Sequence, residues 1–242
     1  MSSERFFIIN GSPSAGDIVV LGEGESRHLF KVVRAREGEE VILLNGEGGR
    51  YRSLVRNGGT IGGVKRGSDV TAEIISAEQA DPLWPVDVAI PLIKSSRMDL
   101  AVEKCAEIGV RRIIPFQCER SVWRGGEGEK AKKRDRLERK VAAACKQSGN
   151  PWFTRIEPLI RFSDLPGKMS EYGVICLADS GGRSFTDVMG ESGDTGEQSM
   201  LGISGPEGGL TETEKETIVS AGAVLVSLGL NRLRSETSSF LI

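Results

Sequence analysis

Two glycine-rich turns, each set directly after a short apolar run, constrain this chain more than any other feature. Met200 to Ser204 precedes Gly205-Pro206-Glu207-Gly208-Gly209. Ala223 to Ser227 precedes Leu228-Gly229-Leu230-Asn231-Arg232-Leu233-Arg234-Ser235-Glu236-Thr237. A short apolar run bounded by turn residues reads as a buried strand, and each turn leads into a segment that reads as a helix. Thr211-Glu212-Thr213-Glu214 is a capping box, so a helix starts just past the first turn. Strand-to-helix turns at the carboxyl ends of strands are where an open α/β sheet places its ligand.

The region from Val86 onward supports such a sheet. Val86 to Ile93, Arg112 to Phe116 and Val174 to Ala178 are further apolar runs. Between them, Arg97 to Ile108 has helical spacing with Leu100, Ala101, Cys105 and Ile108 on one side, and Gly109 is placed to end it. Glu129 to Gln147 reads as a long helix. Strands that are apolar throughout, alternating with helices, mean a parallel sheet covered on both faces. Gly190 to Gln198 is polar and reads as a mobile loop.

The first 76 residues have a different rhythm. Phe6 to Asn10, Asp17 to Leu21, Glu40 to Asn45, Tyr51 to Val55 and Val70 to Ser76 are β-prone runs. Gly, Asn and Ser turns separate them, among them Asn57-Gly58-Gly59. Short strands at this spacing suggest a small β-barrel, interrupted by one helix, Ser26 to Ala35. Two prolines and a turn-prone Asp make 77–85 a linker. The expected organisation is a β-barrel over 1–76, that linker, and an α/β domain over 86–242.

Composition narrows the classes. The chain has 242 residues, 38% hydrophobic and 27% charged, which suits a globular protein with a sizeable core. No run is long enough to span a bilayer, and the first residues lack a signal pattern, so the expectation is a cytoplasmic protein without membrane attachment. Cys105, Cys118, Cys145 and Cys176 are scattered, with no C-x-x-C pair, so neither a metal site nor a disulfide framework is expected. The net charge of −2 is not that of a dedicated polyanion binder. Basic residues do crowd 130–140, but Glu129, Asp135 and Glu138 interrupt them, and a solvated helix face is the favoured reading.

Glycines let a backbone approach a ligand closely, and a following helix offers free N–H groups. Glu207 would repel a phosphate and suits a ligand with cationic or hydroxyl groups. Taken alone, the first turn is equally compatible with a purely structural role. The second is more specific, because Arg232, Arg234 and Glu236 crowd the end of a strand. His28 is the only histidine and is remote in sequence from both turns, which gives nucleophilic catalysis weak support.

An ordered set of motifs runs along the chain. It comprises His28-Leu-Phe-Lys-Val-Val-Arg-Ala-Arg-Glu-Gly38, Lys94 with Arg97-Met98, and Glu103-Lys104-Cys-Ala-Glu107-Ile-Gly109-Val110. Ile114-Pro115 follows with Glu119-Arg120-Ser121, then Lys146-Gln147-Ser148-Gly149, and finally the two turns. In this set the chain resembles the bacterial small-subunit (16S) ribosomal RNA uracil-N3 methyltransferases, the RsmE-type enzymes of the SPOUT superfamily.

The resemblance implies a PUA-like RNA-binding barrel, a C-terminal SPOUT α/β domain with a parallel sheet and a trefoil knot, and a homodimer. It implies S-adenosyl-L-methionine as cofactor, held by Leu177 and Ala178, by Gly205, Pro206, Glu207, Gly208 and Gly209, and by Leu228, Gly229 and Leu233. Arg232, Arg234 and Glu236 become the catalytic candidates: the arginines to stabilise a uracil anion, Glu236 to orient an arginine or take the proton. His28, Lys31, Arg34, Arg36, Lys94, Arg97, Arg120 and Lys133 become candidate contacts to 16S rRNA or the small ribosomal subunit. Two features depart from the family. Asn150 stands where arginine is common, and the last helix, ending at Ile242, is expected to be short. Two rival readings stand beside this one: ribose 2′-O methylation on the same fold, and a non-catalytic RNA-binding or ribosome-assembly protein.

Overall fold

The structure is a computed structural model that describes residues 4–56, 70–121, 127–191 and 199–242; the side chains of residues 30, 31, 127 and 128 lie outside the description. The expected turn at 57–59, the Lys31 side chain and most of the polar loop at 190–198 therefore lie outside the described residues. Two compact units emerge: 1–82 together with 145–153, and 83–144 together with 154–242.

The N-terminal unit is a five-stranded sheet in the order β1 (Phe6–Ile8), β3 (Glu40–Leu44), β4 (Gly49–Arg56), β5 (Thr71–Gln79), β2 (Ile18–Val20). β1 runs parallel to β3, and the other pairs are antiparallel. The sheet curls as a half-barrel around Phe7, Leu21, Leu29, Val41, Leu43 and Ile74. Alternation along β4 shows why: Tyr51, Ser53 and Val55 turn inward while Arg52 faces out. β5 continues to Gln79, three residues into the segment read as linker.

The expected helix at 26–35 takes another form. A short α1 (Glu23–Arg27) passes into a π-helical turn over His28–Val33, which ends at Arg34 in the left-handed conformation, φ 53°. The wider turn places Leu29 fully in the core while Val32 stays exposed.

The C-terminal unit is a seven-stranded, wholly parallel sheet. Its main path is β12 (Val224–Ser227), β10 (Val174–Ser184), β11 (Met200–Ile203), β6 (Val86–Pro91), β7 (Arg112–Gln117), β8 (Arg155–Ile156), with β9 (Ile160–Arg161) also on β7. The connecting helices are α2 (Ser95–Ile108), α3 (Glu127–Ser148), α4 (Leu165–Met169), α5 (Phe185–Glu191), α6 (Glu212–Ser220) and α7 (Ser235–Leu241). Every residue of β11 is buried, as a central parallel strand requires. The capping box forms as read: Thr211 accepts from the Glu214 N–H, and Glu214 accepts from the Thr211 N–H. Gly109 ends α2 with φ 85°.

At the amino ends of the strands, the fully buried Asp87 of β6 accepts from Arg111 (2.7 and 2.9 Å), Arg112 (2.7 Å) and the Tyr172 hydroxyl (2.7 Å). Burial opposes ionisation of Asp87, but the donors from Arg111, Tyr172 and Arg112 outweigh it and hold the carboxyl below its ordinary range. This cluster fastens the amino ends of the central strands, opposite the carboxyl ends that carry the glycine-rich turns.

Candidate cofactor and catalytic site

β11 and β12 lie on opposite sides of β10. The chain therefore crosses over between them, leaving a crevice at their carboxyl ends. A cavity of about 380 Å³ fills that crevice. Its walls come from three segments: Ala178 to Ser180, Gly205 to Gly209 apart from Gly208, and Val226 to Ser235 apart from Leu230.

The first wall departs from the expected short strand. β10 does not stop at Ala178. Its register on β12 jumps, so that Ala178 and Arg183 both face Val226 and the residues between them bulge out. Gly182 makes this possible, because a Cβ there would lie 2.5 Å from the main chain of Leu225 and Val226. The bulge presents Asp179 to the cavity. Its carboxylate accepts from the Gly181 N–H at 2.9 Å and pairs with Lys215 at 3.0 Å. That N–H and the ammonium hold Asp179 below its ordinary range.

The second wall is the Gly-Pro-Glu-Gly-Gly turn. Gly209 adopts φ 71°, a conformation open to glycine at little cost. Arg120 donates to the Gly208 carbonyl at 2.7 Å, bracing the turn from outside. Glu207 leans against α2: its Oε1 accepts from Arg97 at 3.2 Å and from the Lys94 main-chain N–H at 3.4 Å. Its Oε2 is buried with no hydrogen-bond partner among the described residues.

The third wall carries the arginines. Arg232 and Arg234 line the cavity and are exposed. Ser235 opens α7, and its hydroxyl donates to the Gly205 carbonyl at 2.5 Å. Glu236 is buried one residue behind the wall. Its Oε1 faces Arg97 Nε at 3.8 Å and Arg234 Nη1 at 4.0 Å, and its Oε2 has no partner among the described residues.

Ala178, Gly205, Pro206, Glu207, Gly209, Leu228, Gly229 and Leu233 thus converge on one cavity with Arg97, Arg232 and Arg234. Leu177 and Gly208 stand outside the wall, and the Leu177 side chain is packed in the core. Asp179, Ser180, Asn231, Ser235 and Ser238 also line the cavity and were not among the site residues named from sequence. The neighbouring motif residues were the available signal, since Asn231 and Ser235 lie inside the turn from Leu228 to Thr237.

The remaining candidates are spread over both units. In the N-terminal unit, His28 Nδ1 lies 3.2 Å from Lys146 Nζ, which also pairs with Glu25 at 2.9 Å. Arg34 and Arg36 are exposed there. In the C-terminal unit Lys94 is exposed, and Lys133 is shifted below its ordinary range by burial and by Arg136. Asn150 accepts from the Trp152 N–H at 3.0 Å, a local turn contact.

An RNA methyltransferase domain model matches residues 79–242, and a model of the RNA methyltransferase PUA domain matches 15–55. The chain belongs to the RNA methyltransferase family. Among relatives, the ribosomal RNA small subunit methyltransferase E of Aquifex aeolicus is 30% identical over 226 residues, covering 92% of this chain and 91% of that one. The Mycobacterium tuberculosis protein of the same name is 28% identical over 241 residues, covering 96% and 87%. The crystal structure of the Neisseria gonorrhoeae methyltransferase of that name, bound to S-adenosyl methionine, superposes with a TM-score of 0.83 at 27% identity, covering 98% of this chain and 94% of that one.

Within this RNA methyltransferase, the cavity suits a cofactor of mixed character. Its size is within the roughly 300–1,000 Å³ usual for small-molecule sites. Leu228, Leu233 and Pro206 offer apolar surface, and the unpartnered Glu207 Oε2 is compatible with a cationic centre but not with a phosphate. Among the described residues, no group of three or more His, Cys, Asp or Glu is arranged to hold a metal ion, and no helix is long and apolar enough to cross a membrane.

Proposed function

We propose that this chain is an S-adenosyl-L-methionine-dependent methyltransferase that methylates N3 of a uridine in 16S ribosomal RNA. The observation that carries this reading is the convergence of two glycine-rich turns and two exposed arginines on one cavity at the strand ends, with the buried Glu236 directly behind its wall. Bound there, the cofactor supplies an electrophilic methyl group. The chain's own task is to hold the uracil in line with it and to stabilise the base as its N3 proton leaves.

Arg232 and Arg234 are placed for the second role. They project from the wall, and a guanidinium beside O2 or O4 stabilises the charge that develops there. Glu236 is too enclosed for solvent to satisfy it. Its Oε1 steadies Arg234, and its Oε2 is an acceptor without a donor, suited to receive an N–H. Arg34, Arg36 and Lys94 are exposed, have no ion pair among the described residues, and are proposed as phosphate contacts; His28 lies in the same unit as Arg34 and Arg36. The trefoil knot, the homodimer and a cytoplasmic location belong to the same reading. Leu100, Ile108 and Leu241 are exposed apolar residues available for a dimer contact in the C-terminal unit.

Calorimetric titration with S-adenosylmethionine, alongside a folded Gly205→Trp variant, tests the cofactor assignment. Saturable binding in the wild type and its loss in the variant are expected. No binding by the folded wild type would remove the methyltransferase reading and leave the RNA-binding one.

A further inference from the structure

Arg97 stands in the family motif that implied an RNA contact, yet its surroundings are those of an internal clamp. We infer that Arg97 is a positioning residue of the methyl-transfer site, joining the Gly-Pro-Glu-Gly-Gly turn to the Arg-Ser-Glu-Thr turn, and is not a phosphate contact. This rests on the methyltransferase reading above and deepens it.

The guanidinium lies between two carboxylates. Nη1 meets Glu207 Oε1 at 3.2 Å, and Nε faces Glu236 Oε1 at 3.8 Å. These carboxylates belong to different segments: Glu207 to the turn after β11, Glu236 to the first turn of α7. Arg97 itself sits in the first turn of α2, so one side chain ties three elements together at the cavity wall. The Lys94 N–H, at the head of α2, adds a second tie to Glu207 Oε1.

Exposure separates this arginine from its neighbours. The Arg97 side chain is 35% accessible, whereas that of Arg234 is 76% accessible. A phosphate approaching Arg97 would meet Glu207 and Glu236 as well, and their charges oppose it. Glu236, only 6% accessible, would meanwhile be left beside Glu207 with one fewer cation. The buried Glu236 and the half-buried Glu207 flank one guanidinium, and a planar fork can face both where an ammonium reaches only one.

The test compares Arg97→Gln, Arg97→Lys, Glu236→Gln and the double variant Arg97→Gln/Glu236→Gln with wild type, using 16S rRNA and S-adenosylmethionine. Each protein is first checked for a wild-type circular dichroism spectrum. For Arg97→Gln, kcat is expected to fall by about 10- to 100-fold, as removal of a positioning group does. The cofactor KM should rise, while RNA affinity and its salt slope stay unchanged. Arg97→Lys should recover part of the rate, and the double variant should lose little more than the worse single one, the signature of residues acting as a unit. If Arg97→Gln does not fold, the split between kcat and RNA affinity is read on Arg97→Lys. The inference is overturned if kcat at saturating RNA is unchanged while RNA affinity falls and the salt slope drops by about 0.7 to 0.9, the mark of one lost phosphate contact. Multiplicative losses in the double variant overturn it too. A folded wild type that transfers no methyl group overturns the underlying reading instead, and Arg97 is then judged on cofactor and RNA binding alone.

Discussion

The Ser235 hydroxyl donates to the Gly205 carbonyl at 2.5 Å, fastening the start of α7 to the first residue of the glycine-rich turn. The two turns that looked separate in sequence are thereby joined as adjacent walls of one cavity. Ser235→Ala should loosen that junction without unfolding the domain. A hydrogen bond of this kind contributes about 1 kcal/mol net, so cofactor Kd should rise roughly fivefold, measured by calorimetry.

Gly182 lets the bulge of β10 press against β12. Its absent side chain leaves room for the Leu225 and Val226 main chain, which cannot withdraw without breaking the β10–β12 pairing. Gly182→Ala should destabilise the C-terminal unit by about 1–3 kcal/mol, the range for overpacking, and should weaken cofactor binding as well. Denaturant unfolding and calorimetry on the same sample check both effects.

Asp87 should govern acid stability. Its folded carboxyl lies below the ordinary 3.8, so it contributes stability that is fully present above the unfolded value and is lost as pH falls through the folded one. Asp87→Ala strips a buried partner from Arg111 and Arg112 and should cost about 3 kcal/mol at pH 7. The difference from wild type should shrink as pH drops below about 4. Unfolding midpoints measured from pH 7 to pH 3 report this directly.

All four cysteines are buried. Burial pushes the Cys105 thiol up to about 12 and the Cys176 thiol to about 11. The native protein should therefore react slowly with a thiol reagent at pH 8, and all four should react quickly in denaturant.

Much of the C-terminal unit was legible because most of its strands are apolar and its helices carry their own boundary signals, Gly109 ending α2 and Thr211 starting α6. The second half of β10 was not legible. Asp179 to Ser184 is polar, and its pairing with β12 is made by main chain around a glycine rather than by side-chain pattern. The π-helical turn was missed because its defining hydrogen bonds leave no composition signal, and its end rests on a non-glycine residue, Arg34, at φ 53°. Residues 145–153 join the N-terminal unit through contacts that sequence distance hides. Gly149, for instance, has no room for a Cβ beside the Phe6 ring. At the site, motifs named the turns but not the division of labour within them. Sequence reading made Arg97 an RNA contact and Arg234 a catalytic candidate, and could not show that Arg97 lies between Glu207 and Glu236.

The most direct test of the central claim is methyl transfer itself. Small ribosomal subunits and naked 16S rRNA lacking the modification are incubated with the protein and S-adenosylmethionine, and the nucleosides are analysed by mass spectrometry, with reverse-transcription stops to locate the base. The account expects 3-methyluridine at one position, a stop there, and loss of both with Arg234→Ala. A 2′-O-methylated nucleoside with no stop, or no transfer by a protein that binds RNA, would contradict it.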